Sequence, residues 1–147
     1  MATNQKVPKT TYRDIASTRI IFCNEQDTVS IIAQKMAEFW VDTIFVKKDQ
    51  GKVTGLITDG IIWNLIAKED DPTDPRTLKA KDIMFEKFIR VNCDKSIESI
   101  DEVRKLLEKT KIQRICIVRD GEIVGLVRKK FIERVKRYSR SFTFELK

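Results

Sequence analysis

The chain repeats itself, and that limits its folds more than any other feature. Asp14-Ile15 recurs as Asp82-Ile83, 68 residues on. The run 41–46 recurs as 112–117, an offset of 71, and the run 51–57 recurs as 121–127, an offset of 70. A three-residue insertion and a one-residue deletion in the second copy reconcile the offsets. The order of apolar and glycine positions matches over about 55 residues. Between the copies, residues 69–75 are polar and contain Pro72 and Pro75, which reads as a linker. The chain therefore divides into a tail (1–11), a first repeat (12–68), a linker (69–78), a second repeat (79–138) and a second tail (139–147).

Each copy predicts the same local structure. Val29, Ile32, Ala33, Met36 and Trp40 fall at helical spacing, with Thr28 placed to cap the helix. Ile100, Val103, Leu106 and Leu107 repeat the pattern, and Ser99 with Glu102 forms a capping box. Short β-rich runs follow at 43–46 and 114–118. Glycine turns at 49–51 and 120–121 lead into further runs at 53–57 and 123–127, the signature of a hairpin. Helices over 60–68 and 130–138 close the copies, and strands at 20–23 and 89–91 precede them. The unit is β-α-β-β-α, twice, in a mixed α/β (α+β) class.

That ordered set, with Gly51-Lys52-Val53-Thr54-Gly55-Leu56-Ile57-Thr58 at its centre, resembles the cystathionine-β-synthase (CBS) domain. Two copies in tandem resemble a Bateman module over residues 12–138. The resemblance implies two CBS repeats packed by their sheets around a pseudo-two-fold axis, with two clefts between them. It also implies that the clefts bind adenosine-containing ligands such as AMP, ADP, ATP or S-adenosylmethionine, with the module acting as a sensor. Paired modules joined through their helices are a further implication. The helix over 60–67, apolar almost all round, points independently to a homodimer.

The family places a Thr/Ser-x-x-Asp motif at the exit of the hairpin for ribose and phosphate. Here the first copy reads Thr58-Asp59-Gly60-Ile61 and the second Arg128-Lys129-Lys130-Phe131. The hydroxyl survives once, and Ile61 and Phe131 stand where the Asp would be. Thr58 is a ligand contact or simply a helix cap, and Asp59 is a candidate substitute for the missing carboxylate. Arg128 sits at a helix start, where the dipole disfavours a cation, so a phosphate partner competes with a solvated basic end. Lys129 is a weaker candidate of the same kind. Thr43 and Arg114 correspond at the start of the first hairpin strand, at a position the family uses for ligand contact. Ser17, after the Asp-Ile element, keeps a hydroxyl where the family has Thr. These seven residues, Ser17, Thr43, Thr58, Asp59, Arg114, Arg128 and Lys129, are the candidate ligand-binding set.

Composition excludes much else. The 147 residues contain no His, so no His-based triad, His-ligated zinc or imidazole proton shuttle exists. Three widely spaced Cys form no C-x-x-C pair, and the five Gly form no phosphate loop. The chain is expected to be no enzyme and to hold no covalent cofactor or metal. With 41% apolar and 35% charged residues it is expected to be globular, and no apolar run approaches the roughly 18 residues of a membrane span. Met1–Thr10 is polar, without a signal sequence. A cytoplasmic setting with no membrane partner follows as the expectation.

Charge is unevenly spread. Residues 1–75 hold 9 basic and 11 acidic residues, net −2; residues 76–147 hold 20 and 11, net +9. The second half therefore favours an anionic partner. Three functions fit. The first is a regulatory module that binds an adenine nucleotide and signals to a protein on another chain. The second is a small basic nucleic-acid-binding protein acting through residues 128–140. The third is a degenerate module that only dimerises.

Overall fold

A computed structural model describes residues 10–49, 51–68 and 70–134. The elements run in chain order as a 3-10 turn (Tyr12–Ile15), β1 (Phe22–Asn24), α1 (Val29–Phe39), β2 (Thr43–Lys47), β3 (Val53–Thr58) and α2 (Asp59–Ala67). A second 3-10 turn (Pro75–Thr77) and the one-turn α3 (Ala80–Ile83) follow. Then come β4 (Ile89–Asn92), α4 (Ile100–Glu108), β5 (Arg114–Arg119) and β6 (Glu122–Arg128). Residues 129–134 are helical; positions 135–138 of the expected last helix lie outside the described residues. The β-α-β-β-α order is thus present twice, in a mixed α+β fold.

There are two three-stranded sheets, ordered β1-β2-β3 and β4-β5-β6. In each, the first pair is parallel and the second antiparallel. Both hairpins slip register at the same place, Val46/Lys47 in one and Ile117/Val118 in the other. The second hairpin turns on Asp120 and Gly121, both at positive φ, the backbone a two-residue turn with right-handed strand twist requires. The central strand β2 is buried through four consecutive residues, as a strand covered on both faces must be.

The compact units are drawn differently from the sequence repeats. Among the described residues, one comprises those within 19–88 and the other comprises 10–18 with 89–134. The short Asp-Ile segments account for this. Residues 80–88 of the second repeat pack with the first repeat's sheet, and residues 12–18 of the first repeat, with Thr10 and Thr11 before them, pack with the second repeat's unit. Phe85 and Leu56 exchange backbone bonds of 2.9 and 3.0 Å. Ser17 and Leu126, at the corresponding positions, exchange bonds of 2.8 and 2.9 Å. Each segment thereby adds a one-residue antiparallel bridge to an edge strand.

The repeated glycines mark where these segments cross. A Cβ on Gly55 would stand 2.5 Å from Met84 Sδ and 2.8 Å from the Phe85 carbonyl oxygen. A Cβ on Gly125 would stand 2.9 Å from Ala16 Cβ. The repeated aspartates cap the turns that precede the crossings. Asp14 Oδ2 accepts from the Thr11 N–H at 2.7 Å, and Asp82 Oδ2 from the Lys79 N–H at 3.2 Å.

Each unit has its own core. In the 19–88 unit, Cys23, Val29, Ile32, Ile44, Val46, Ile57, Ile62 and Ala80 pack together. In the other, Tyr12 and Ile15 from the N-terminal segment pack with Val91, Val103, Leu107, Ile115, Val127 and Ile132. The caps form as expected: Thr28 accepts from Ile31 N, and Ser99 from Glu102 N. Glu102 reaches back one residue beyond the cap, to the Glu98 N–H at 3.0 Å.

Trp40 departs from the expected helical stripe. It is the C-cap of α1, in the left-handed conformation at φ 54, and is 86% exposed. The spacing rule carries it one residue past the helix end, where the chain turns away from the core. The unit 19–88 also exposes Trp63, Ile66, Ile31 and Phe39, whereas the other unit exposes one large apolar side chain among the described residues, Phe131.

Candidate functional site

Both hairpins end in the same way. In the 19–88 unit, Thr43 opens β2, Thr58 closes β3, and the two are register partners. The Asp59 N–H donates to the Asp42 carbonyl at 2.9 Å, closing the base of the hairpin. In the other unit Arg114 opens β5, Arg128 closes β6, and they too are register partners. The Lys129 N–H donates to the Gln113 carbonyl at 3.2 Å, the counterpart closure. One backbone frame thus presents a Thr pair in one unit and an Arg pair in the other.

The Thr rim is spent largely on its own fold. Thr58 is 4% exposed and caps α2, its Oγ1 accepting from Ile61 N at 3.3 Å. Thr43, also 4% exposed, donates its hydroxyl to Asp42 Oδ1 at 2.9 Å. Asp59 Oδ1 accepts from the Gly60 N–H at 2.8 Å. Ile61, where the resemblance wants a carboxylate, packs against the unit's core.

Of the Arg pair, Arg128 borders a pocket of about 110 Å³. Arg128, Ser17, Asp14, Phe131 and Leu126 are among its walls. The Ser17–Leu126 exchange brings Ser17 here from the far end of the chain. Arg114 and Arg128 are both half-buried, and Arg114 Nη1 donates to the Ile112 carbonyl at 2.7 Å. Lys129 Nζ lies 4.0 Å from Glu133 Oε1, one helical turn on, which draws it along its own helix.

Of the candidate residues, Ser17 and Arg128 therefore share one pocket, with Arg114 opposite Arg128. Thr43, Thr58 and Asp59 share the other hairpin base. Phe131 and Asp14 line the pocket without having been singled out as contacts. Phe131 stands where the resemblance places a carboxylate. Asp14 was visible as a repeat marker, and its offset of three from the Thr11 cap position could have suggested its structural task.

Burial pushes the thiols of Cys23 and Cys116 up to about 12, the reverse of an activated nucleophile. No cluster of three His, Cys, Asp or Glu able to hold a metal occurs among the described residues. No described helix is long and apolar enough to cross a membrane. A wider, open depression of about 480 Å³ at Phe22, Asn24, Asp27, Lys35, Lys47 and Asp49 mixes both charges. There Lys47 Nζ sits 4.0 Å over the Phe22 ring, and Lys35 donates to the Phe22 carbonyl at 3.0 Å.

Comparison with known proteins agrees with this geometry. The family profile of the CBS domain matches residues 13–62 and 80–130. Hypoxic response protein 1 of Mycobacterium tuberculosis is 26% identical over 127 residues, 85% of this chain and 84% of that protein. An uncharacterized conserved protein from Pyrococcus horikoshii superposes with a TM-score of 0.71 at 24% identity, covering 90% of this chain and 96% of that one. The CBS domain pair of protein MJ0100, solved in complex with 5′-methylthioadenosine and S-adenosyl-L-methionine, superposes with a TM-score of 0.71 at 22% identity. That match covers 90% of this chain and 99% of that one.

Proposed function

The chain belongs to the CBS domain family, and from that premise we propose that it is a regulatory module that binds an adenine nucleotide and signals to a protein on another chain. The observation that carries the reading is the Arg128–Ser17 pocket at the exit of the second hairpin. Apolar walls from Leu126 and Phe131 suit a flat ring or a ribose edge, while a guanidinium and a hydroxyl suit phosphate oxygens. MJ0100, a structural relative, was solved with two adenosine-containing ligands, which supports the class of ligand. Among the candidate residues, Arg128 is the principal phosphate contact, with Ser17 and Arg114 beside it. Thr43, Thr58 and Asp59 serve a second, less cationic position. Ribose is weakly read, because Ile61 and Phe131 replace the carboxylate, so affinity is micromolar or weaker.

We also propose a homodimer. Trp63 and Ile66 of α2, and Ile31 and Phe39 of α1, are large apolar side chains that a lone copy leaves exposed to water.

A thermal-shift series with AMP, ADP, ATP, S-adenosylmethionine and NAD tests the ligand class. Ligands that bind only the folded chain raise its melting temperature by mass action. A rise of several degrees with at least one adenine nucleotide is the expected result. No rise with any of the five, at millimolar concentration, overturns the reading.

A further inference from the structure

We propose that the open depression at the turn end of the first sheet binds a free α-amino acid, a zwitterion whose carboxylate meets the Lys35 and Lys47 ammonium groups and whose ammonium meets Asp49. This site is independent of the nucleotide reading. Lys47 lies four residues along β2 from Thr43, about 13 Å at the rise of a strand, so the depression stands at the opposite end of the hairpin from Thr43 and Thr58.

Phe22, Asn24, Asp27, Lys35, Lys47 and Asp49 line a volume of about 480 Å³. Two cations are held there on one residue. Lys35 Nζ donates to the Phe22 carbonyl at 3.0 Å, and Lys47 Nζ stands 4.0 Å from the centre of the Phe22 ring. Both lysines are half-buried, and neither forms an ion pair among the described residues. The other unit shows that the frame does not need these charges. Lys35 lies seven residues past the Thr28 cap; Leu106 lies seven past the Ser99 cap and packs against its core. Lys47 stands at the register slip of its hairpin, opposite Asn24 of β1; Val118 stands at the same slip, opposite Asn92 of β4. Two apolar side chains in one copy are thus two cations in the other.

The two carboxylates have different tasks. Asp27 Oδ2 accepts from the Asn24 N–H at 2.9 Å and so shapes the turn after β1. Asp49 accepts from the Asn24 side-chain amide through its backbone carbonyl at 3.4 Å, which leaves its carboxylate to the pocket. With both signs in one wall, a simple anion meets repulsion from the aspartates and a simple cation from the lysines. An α-amino acid carries both charges a few bonds apart and suits both sides. Each ammonium has three donors, so Lys35 keeps two beyond its bond to Phe22.

The test is an amide-detected NMR titration of the full chain with glycine, leucine, phenylalanine, glutamate and lysine, and with the N-acetyl and amide form of each, which lack one of the two charges. It uses the parent, Lys35→Leu, Lys47→Val and Asp49→Asn, each first shown to melt cooperatively. The first two carry the side chains of the counterpart positions, and Asn tolerates the positive φ of Asp49. At least one free amino acid should bind in the millimolar range or tighter and shift the amides of Asn24, Lys47 and Asp49. Its N-acetyl and amide forms should bind at least tenfold more weakly, and each substitution should lower affinity about 10- to 100-fold through loss of a charge-assisted bond. An N-acetyl form bound as tightly as the free acid makes this an anion site, an amide bound as tightly makes it a cation site, and either overturns the proposal. Binding that survives both Lys47→Val and Asp49→Asn overturns it, as does no binding of any of the five at millimolar concentration. Failure of AMP to bind the parent, titrated in parallel, counts against the nucleotide reading alone. Should a variant fail to fold, the parent's shifts and ligand order decide the matter.

Discussion

Ser17 and Leu126 exchange both of their backbone hydrogen bonds, at 2.8 and 2.9 Å, although they stand near opposite ends of the described chain. The exchange ties the N-terminal segment to β6, and β6 ends at Arg128. Whatever shifts the Ser17 segment therefore shifts one wall of the pocket. Gly125 is the position that permits the exchange.

Gly125→Ala should accordingly cost about 1–3 kcal/mol, the usual range for overpacking a close contact. Its Cβ would press on Ala16 at 2.9 Å. Amide exchange at Ser17 and Leu126 should quicken more than exchange in β1–β3. Uniform quickening across both sheets would show that the crossing segment is not the local point of failure. Gly55→Ala should cost more, since the Phe85 carbonyl oxygen at 2.8 Å is backbone and has less freedom to move.

Thr58→Ala should destabilise the chain by about 0.5–2 kcal/mol through loss of the α2 cap. Thr58→Ser keeps the capping oxygen and should restore most of that. If nucleotide affinity falls in Thr58→Ala but stability does not, the hydroxyl serves the ligand and not the helix. Urea unfolding beside calorimetry separates the two.

Trp63→Asp should convert the proposed dimer to monomer, because Trp63 is 65% exposed on α2. The melting temperature of the monomer should change by a few degrees at most, as no core contact is lost. Ile62→Asp is the contrasting variant: Ile62 is 8% exposed and sits in the core, so it should unfold the unit outright. Sedimentation of the parent as a monomer at tens of micromolar would remove the dimer from consideration.

Stability should decline in alkali. Burial holds the Cys23 and Cys116 thiols up at about 12, so the unfolded chain loses these protons at lower pH than the folded chain does. The stabilising difference is whole below the ordinary thiol pKa of about 8.5 and is lost as pH rises through that value towards 12. Urea midpoints should therefore fall between pH 8 and pH 10.5, and fall less in a Cys23→Val, Cys116→Val double variant. Equal declines would assign the effect to other groups.

Much of this fold was legible in the sequence because hairpins, caps and amphipathic stripes are local. Asp120-Gly121 announces its turn, and Ser99 its helix, without reference to anything distant. What could not be read was which sheet each Asp-Ile segment joins. Periodicity records that Ile15 and Ile83 are apolar, not whose core they fill. The glycines held the missing signal: Gly55 and Gly125 look like hairpin residues, yet what they exclude is a Cβ beneath a crossing segment. Trp40 fits the apolar spacing yet stands past the end of α1, because spacing carries no stop signal when the stopping residue is not Gly. At the candidate site, Arg128 and Ser17 were both legible one at a time. Their meeting in one pocket depends on the Ser17–Leu126 exchange, which no local pattern encodes.

Because each unit takes its closing segment from the other repeat's stretch of chain, the repeats of the sequence are not the units that fold. A single repeat cut out at residues 12–68 would keep its own Asp-Ile segment but lack the 80–88 segment that bridges β3. Its β3 edge would stay open until a second molecule supplied the matching residues.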